Sequence, residues 1–302
     1  MSIWKYVHDW LFSEKEGDAN IDFSKATPWN RQDSSPRLSL RDWQEQDMDQ
    51  ESAYMNGLES DEAVQKRIAT LLEQAMRAAA SGLYEQAIAN FNQVLHLNPE
   101  LPLAYVNRGW VFGKQGNYDA AIADYDQAIR LDPKLSLAYV NRGWAQAKKK
   151  AYDAAITDYD QAIRLDPRNV LAYINRGWTY AQKQDYDKAY ANFNHAIRLD
   201  PQSPLAYHKR GLTYLDQGLL SQALANFQEA LRLDDQDARF YAACGRVYLE
   251  QRHFSEAVAQ FTTALRLDPS LREAYQGRAQ AHRALGDHAS AARDEQQARS
   301  AG

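Results

Sequence analysis

Three asparagines, Asn107, Asn141 and Asn175, recur every 34 residues, and three positions after each stands a tryptophan: Trp110, Trp144 and Trp178. An asparagine amide offers both a donor and an acceptor, while an indole offers a large rigid apolar plane. Together they suit the gripping of a polypeptide, with amides on its backbone and rings on its side chains. The stretch that carries them, Leu103–Trp110 (LAYVNRGW), returns at Leu137–Trp144 and, with Ile174 in place of valine, at Leu171–Trp178. On a helix, Leu103, Val106, Asn107 and Trp110 share one stripe by their i, i+3, i+4, i+7 spacing, so Val106, Val140 and Ile174 are expected on the same wall.

Farther along, the stripe becomes basic. His208 and Lys209 occupy it first, then Arg239 and Arg246, and a row of cations favours a carboxylate or phosphate. Beside the stripe lie Arg108, Arg142, Arg176 and Arg210. Asp124, Asp126, Asp158 and Asp160 follow at spacings that suggest pairing between units rather than ligand contact. The run Lys148–Lys150 reads as the positively charged end of a helix.

Bond-breaking chemistry finds no foothold. The histidines His8, His96, His195, His208, His253, His282 and His288 share no metal-ligand spacing with acids or cysteine, and no glycine-rich phosphate loop is present. The single cysteine, Cys244, rules out an intrachain disulfide framework. A protein without catalytic residues, metal or cofactor is expected. Residues 1–67 hold 8 Lys and Arg against 14 Asp and Glu, and the remainder 27 against 26. An acidic leader before a near-neutral body argues against nucleic-acid binding. With no signal peptide and no membrane-length apolar run, the cytoplasm is the expected location, or the cytoplasmic face of a membrane as a peripheral protein.

The residues that could bind must be held by a repeating scaffold. Ala87, Ala121, Ala155, Ala189, Ala223, Ala257 and Ala291 are each 34 apart and define seven units, approximately 68–101, 102–135, 136–169, 170–203, 204–237, 238–271 and 272–302. Each unit predicts two helices. The first carries Tyr105 and its equivalents, with Gly109, Gly143, Gly177, Gly211, Gly245 or Ala279 four residues later. The second carries Tyr125, Tyr159, Phe193, Phe227 or Phe261 and then Ala128, Ala162, Ala196, Ala230 or Ala264. A mid-helix glycine costs about 1 kcal/mol relative to alanine, so its recurrence implies close approach of the partner helix. Gly82, Gly116, Gly218 and Gly286 fit left-handed helix ends, with Lys150 and Gln184 in their place in two units, and Pro133, Pro167, Pro201 and Pro269 end the second helices. An ordered helix is expected to begin at Ser60 or Asp61.

Residues 1–59 stand apart from the array at 60–302. Ile3, Trp4, Val7 and Leu11 predict a short amphipathic helix, and the Pro- and Ser-containing stretch after it reads as an acidic linker.

The offsets of small residue, aromatic, alanine, aromatic, alanine and proline resemble the tetratricopeptide repeat (TPR) family, in its bacterial form, over about residues 68–298. Asp235, Glu295 and Ala279 depart from the pattern, the last two in an end unit that must meet water. The resemblance implies an all-α, right-handed superhelical α-solenoid of about seven helix-turn-helix repeats, preceded by an irregular N-terminal segment. It also implies a concave surface, lined by first helices, that binds extended peptides or partner helices; the three asparagines resemble the backbone-holding ladder of some members. The family's carboxylate clamp is not reproduced, since Glu73 and Met76 stand where it needs Lys and Asn. The expected function is a non-enzymatic adaptor or scaffold that takes a peptide or helix of a partner protein. The alternatives are an assembly factor for a larger, membrane-associated complex, with Trp4 and Trp10 as membrane contacts, or an array autoinhibited by its own acidic leader (Asp47, Asp49, Glu51).

Overall fold

The computed structural model describes residues 61–300, and the expectations for residues 1–59, including the membrane contacts and the autoinhibitory segment, lie outside them. Among the described residues there are fourteen helices and no strand. In chain order they are α1 (Asp61–Ala80), α2 (Tyr84–Leu97), α3 (Pro102–Lys114), α4 (Tyr118–Leu131), α5 (Ser136–Lys148), α6 (Tyr152–Leu165) and α7 (Val170–Gln182). The series continues with α8 (Tyr186–Leu199), α9 (Pro204–Asp216), α10 (Leu220–Leu233), α11 (Ala238–Glu250), α12 (Phe254–Leu267), α13 (Arg272–Ala284) and α14 (His288–Ser300). This is the all-α repeat solenoid that the 34-residue period predicts.

Each antiparallel pair is locked by large against small. The side chains of Tyr125, Tyr159, Phe193, Phe227 and Phe261 are fully buried, as are Ala121, Ala128 and their equivalents. A Cβ added at Gly109 would lie 2.8 Å from the Tyr125 ring and 3.1 Å from the Ala121 carbonyl, and Gly143 faces Tyr159 and Ala155 in the same way. The glycine is there because the second helix's aromatic ring, with its backbone just behind, occupies the space a methyl would need. In α1, Ile68, Leu71, Ala75, Ala78 and Ala79 form the buried side, as helical spacing requires.

Seven turns end the first helices, and all seven have a left-handed residue. Gly82, Gly116, Gly218 and Gly286 have φ between 71° and 83°, while Lys150, Gln184 and Arg252 adopt 62–63° with a Cβ present. Arg252 thereby joins Lys150 and Gln184 as a non-glycine turn. The left-handed conformation costs such a residue about 1 kcal/mol, which the packed helices on either side outweigh. The second helices α4 to α12 close on an aspartate, and α2 on Asn98, whose Oδ1 accepts a bond from the N–H two residues on, as Asp132 accepts from Lys134 and Asp166 from Arg168.

Between units, each first helix from α3 to α11 touches the next unit's first helix directly, and no comparable approach joins successive second helices among the described residues. The first helices therefore line the inner side of the curve.

Candidate interaction surface

Polar seams join the units. Arg142 reaches from α5 with Nε and Nη2 to both carboxylate oxygens of Asp158 on its own second helix, at 2.8 and 2.6 Å. Its Nη1 donates to Asp126 of the preceding unit at 2.5 Å. Arg108 does the same with Asp124 and Asn92, Arg176 with Asn192 and Asp160, Arg210 with Asn226 and Asn194, and Arg278 with Asp294 and Thr262. The expected pairing of arginines with acids between units is observed for Arg142 with Asp126 and Arg176 with Asp160, whereas Asp124 and Asp158 pair within their own units and Arg210 meets only amides; each planar guanidinium also joins its own unit's two helices. Its bonds to Asp158, outweighing burial, hold the Arg142 pKa well above the ordinary arginine value. Unit 6 breaks the series with Cys244, a buried thiol whose pKa burial pushes up to about 12, which leaves it unreactive.

Exposed ties reinforce the same joints at the turns. Gln115 donates to Glu85 at 2.9 Å, and Lys149 and Lys183 pair with Asp119 and Asp153, each partner 30 residues earlier. These had no recognised signal within one unit, because the spacing crosses a unit boundary.

The anticipated binding stripe divides into two layers. Val106, Val140 and Ile174 are only 0–1% exposed. Val106 packs with Ala121 and Tyr125 of α4 and with Ala138 and Ala145 of α5, so these residues are mortar between units and not a ligand wall. Asn107 and Asn141 are 4% exposed, and their amide nitrogens are buried without a hydrogen-bond partner, whereas Asn175 is half-buried. The amides thus do not form a continuous exposed ladder.

The tryptophans do keep an exposed edge. All three are half-buried, each at one turn's distance along a first helix from the buried layer. Trp144 lies over Gly113 of the preceding unit, where an added Cβ would come within 2.7 Å of the ring, and meets Tyr118 edge-on at 5.9 Å. An ammonium sits over each indole: Lys114 at 5.4 Å from Trp110, Lys148 at 5.5 Å from Trp144 and Lys209 at 4.8 Å from Trp178. The i, i+4 relation of Trp110 to Lys114 and of Trp144 to Lys148 was the available signal for the first two lysines, which were not among the expected site residues.

The expected basic cluster also needs correction. His208 is 7% exposed, its ring packed 5.7 Å from Phe227 and 4.8 Å from Phe240, and burial pushes its pKa down to about 3. A neutral, enclosed imidazole does not attract an anion. Arg239 is held by Asp237 through Nε at 3.0 Å and Nη2 at 2.6 Å. Lys209 is half-buried over Trp178, and Arg246 is exposed. Among the described residues no group of three or more His, Cys, Asp or Glu is arranged to hold a metal, and no helix is long and apolar enough to cross a membrane.

Comparison with known proteins agrees with this architecture. Models of the tetratricopeptide repeat match residues 102–135 and 243–302, and a TPR repeat model matches 79–116, 147–184, 177–218 and 213–252. No curated protein matches the chain by sequence search. Among solved structures, yeast Tom70 superposes with TM-score 0.65 at 20% identity, covering 85% of this chain and 54% of its own. The APC/C Cut9–Hcn1 hetero-tetramer gives 0.64 at 18% identity, covering 78% of this chain and 48% of its own. A tetratricopeptide repeat protein of Parabacteroides merdae gives 0.62 at 20%, covering 78% and 94%. The chain spans about half the length of the Tom70 and Cut9 chains, and at these identities the likeness is one of fold.

Proposed function

We propose that this tetratricopeptide repeat protein is a non-enzymatic scaffold that holds an extended or helical segment of a partner protein along its inner, first-helix face. Tetratricopeptide repeats are protein-interaction modules, and the present chain consists of them from residue 79 onward apart from a short unmatched stretch at 136–146. The observation that carries the specific surface is the row Trp110, Trp144 and Trp178. These are half-buried indoles, each keeping an edge in solvent, repeated at the unit spacing on helices that line the inside of the curve. A partially exposed aromatic row is costly to leave in water and suits a partner's apolar side chains. Asn175 offers an amide beside Trp178, and Lys209 and Arg246 extend the surface into units 5 and 6. The buried Asn107 and Asn141 serve the reading only as supports of the helix that presents the rings.

The test selects binding peptides from a random library on the full chain, then measures them against Trp144→Leu. Leucine is the residue that unit 5 already carries at this place, as Leu212, so the helix should keep its packing. Affinity is expected to fall about 30-fold for a central aromatic anchor. Unchanged affinity in a variant whose circular dichroism matches that of the original would remove the inner face from consideration.

A further inference from the structure

We infer that the segment held on this face is acidic, with carboxylates interspersed among bulky apolar side chains, and that its acidic part lies over units 2 to 4. The inference rests on the surface proposed above and adds its chemistry. In α3, α5 and α7 the inner positions carry leucine, valine or isoleucine, asparagine, tryptophan, and glycine or alanine. The helices then end at Lys114, Lys148 and Gln182, all exposed. With Lys209 above Trp178, three indoles carry three ammoniums, and no carboxylate shares these positions.

In units 5 and 6 the equivalent positions are balanced. Apart from Lys209, which lies over Trp178, Arg239 and Arg246 stand with Asp216 and Glu250, and Asp237 at the start of α11 already binds Arg239. The field that would select an anion is therefore strongest over the tryptophans and not over the basic residues farther along the array. In unit 1 the nearest inner acid, Glu73, is engaged by Arg77 on its own helix.

An ammonium lying over an indole presents charge and apolar surface side by side. A glutamate or aspartate of the partner would pair with the lysine while the neighbouring apolar side chain covers the ring edge. A single-stranded nucleic acid also offers anions and planar groups, but the lysines occupy the ring faces on which bases would stack.

Three short fluorescein-labelled peptides, alternating phenylalanine or leucine with glutamate, glutamine or lysine, test the idea by anisotropy on the full chain. The glutamate probe is expected to bind about tenfold more tightly than the glutamine probe at low salt, with the gap closing as ionic strength rises. Lys114→Glu with Lys148→Glu, both on exposed sites, should reduce binding of the glutamate probe about tenfold and favour the lysine probe. Equal binding of the glutamate and glutamine probes, both weakened by Trp144→Leu, overturns the acidic preference and leaves the surface standing. Probes that fail to bind, or that ignore Trp144→Leu, overturn both. A larger loss from Arg246→Glu alone than from the first pair overturns the placement. Tighter binding of a single-stranded oligonucleotide through Lys114 and Lys148 overturns the partner class.

Discussion

Units 2 to 4 and units 5 to 6 share one backbone and join their helices by different chemistry. In the first group, Arg108, Arg142 and Arg176 each stitch two second helices together with at least one aspartate among their acceptors. In unit 5 the acceptors of Arg210 are both amides, and in unit 6 the arginine gives way to Cys244. There the joint is apolar: Leu215, Ala223, Phe227, Ala243, Cys244 and Val247 close on one another. The difference teaches that the stacking geometry does not depend on the arginine series. It follows from the buried small and aromatic layer that units 2 to 6 all retain, and the polar seam is one of two ways to fill what remains.

The largest expected effect comes from cutting the polar seam where it is most fully charged. Asp158→Ala leaves Arg142 without its bidentate partner in a largely buried site and should cost about 3 kcal/mol in urea unfolding. Asp158→Asn, which copies Asn192 and Asn226 of the next units, should cost about 1 kcal/mol, because one accepted bond survives. Equal losses in the two variants would show that charge, and not the bond to Arg142 Nε, holds the seam.

A second comparison concerns acid. His208 replaces the Val106, Val140 and Ile174 of earlier units, and its folded pKa of about 3 lies below the ordinary 6.5. The unfolded chain takes up the proton first, so the stability tied to this residue is complete above about pH 7 and is lost as pH falls toward 3, by up to about 1.4 kcal/mol per pH unit. His208→Val should flatten that slope in denaturation curves taken across the range. A variant that keeps the original slope would transfer the effect to another group.

Smaller effects separate the turns. Lys150→Gly, Gln184→Gly and Arg252→Gly each relieve a left-handed residue that other units give to glycine, and should raise stability by about 0.5–1 kcal/mol apiece, seen as an increase in Tm. Least of all, Lys149→Ala removes an exposed inter-unit pair with Asp119 and should change stability by less than about 0.5 kcal/mol. A loss comparable with that of Asp158→Ala would rank the turn edge beside the seam.

Much of this was legible in the amino-acid sequence. The 34-residue period, Gly109 against Ala121, the aromatic at Tyr125 and the pairing of arginines with aspartates follow from spacing within and between units. What escaped was rotation. A stripe three or four residues wide has an inner and an outer edge, and which edge meets the next unit depends on how neighbouring pairs tilt, which helical periodicity within one unit does not encode. Val106 and Asn107 consequently turned out to be buried, while Trp110 at the same stripe's end kept its edge in water. His208 was misread from its type. Its column, filled elsewhere by Val106, Val140 and Ile174, was the better guide.

The seat of Trp144 on Gly113 has an evolutionary corollary. Ring and socket belong to adjacent copies of the motif, so a gene segment cut at the repeat boundary and inserted elsewhere would carry one without the other. Shuffling or trimming this array therefore keeps the pair together only where both first helices, α3 and α5, stay in one fragment, and a lengthened version would need its new member to supply a small residue on one flank and tolerate an indole from the other.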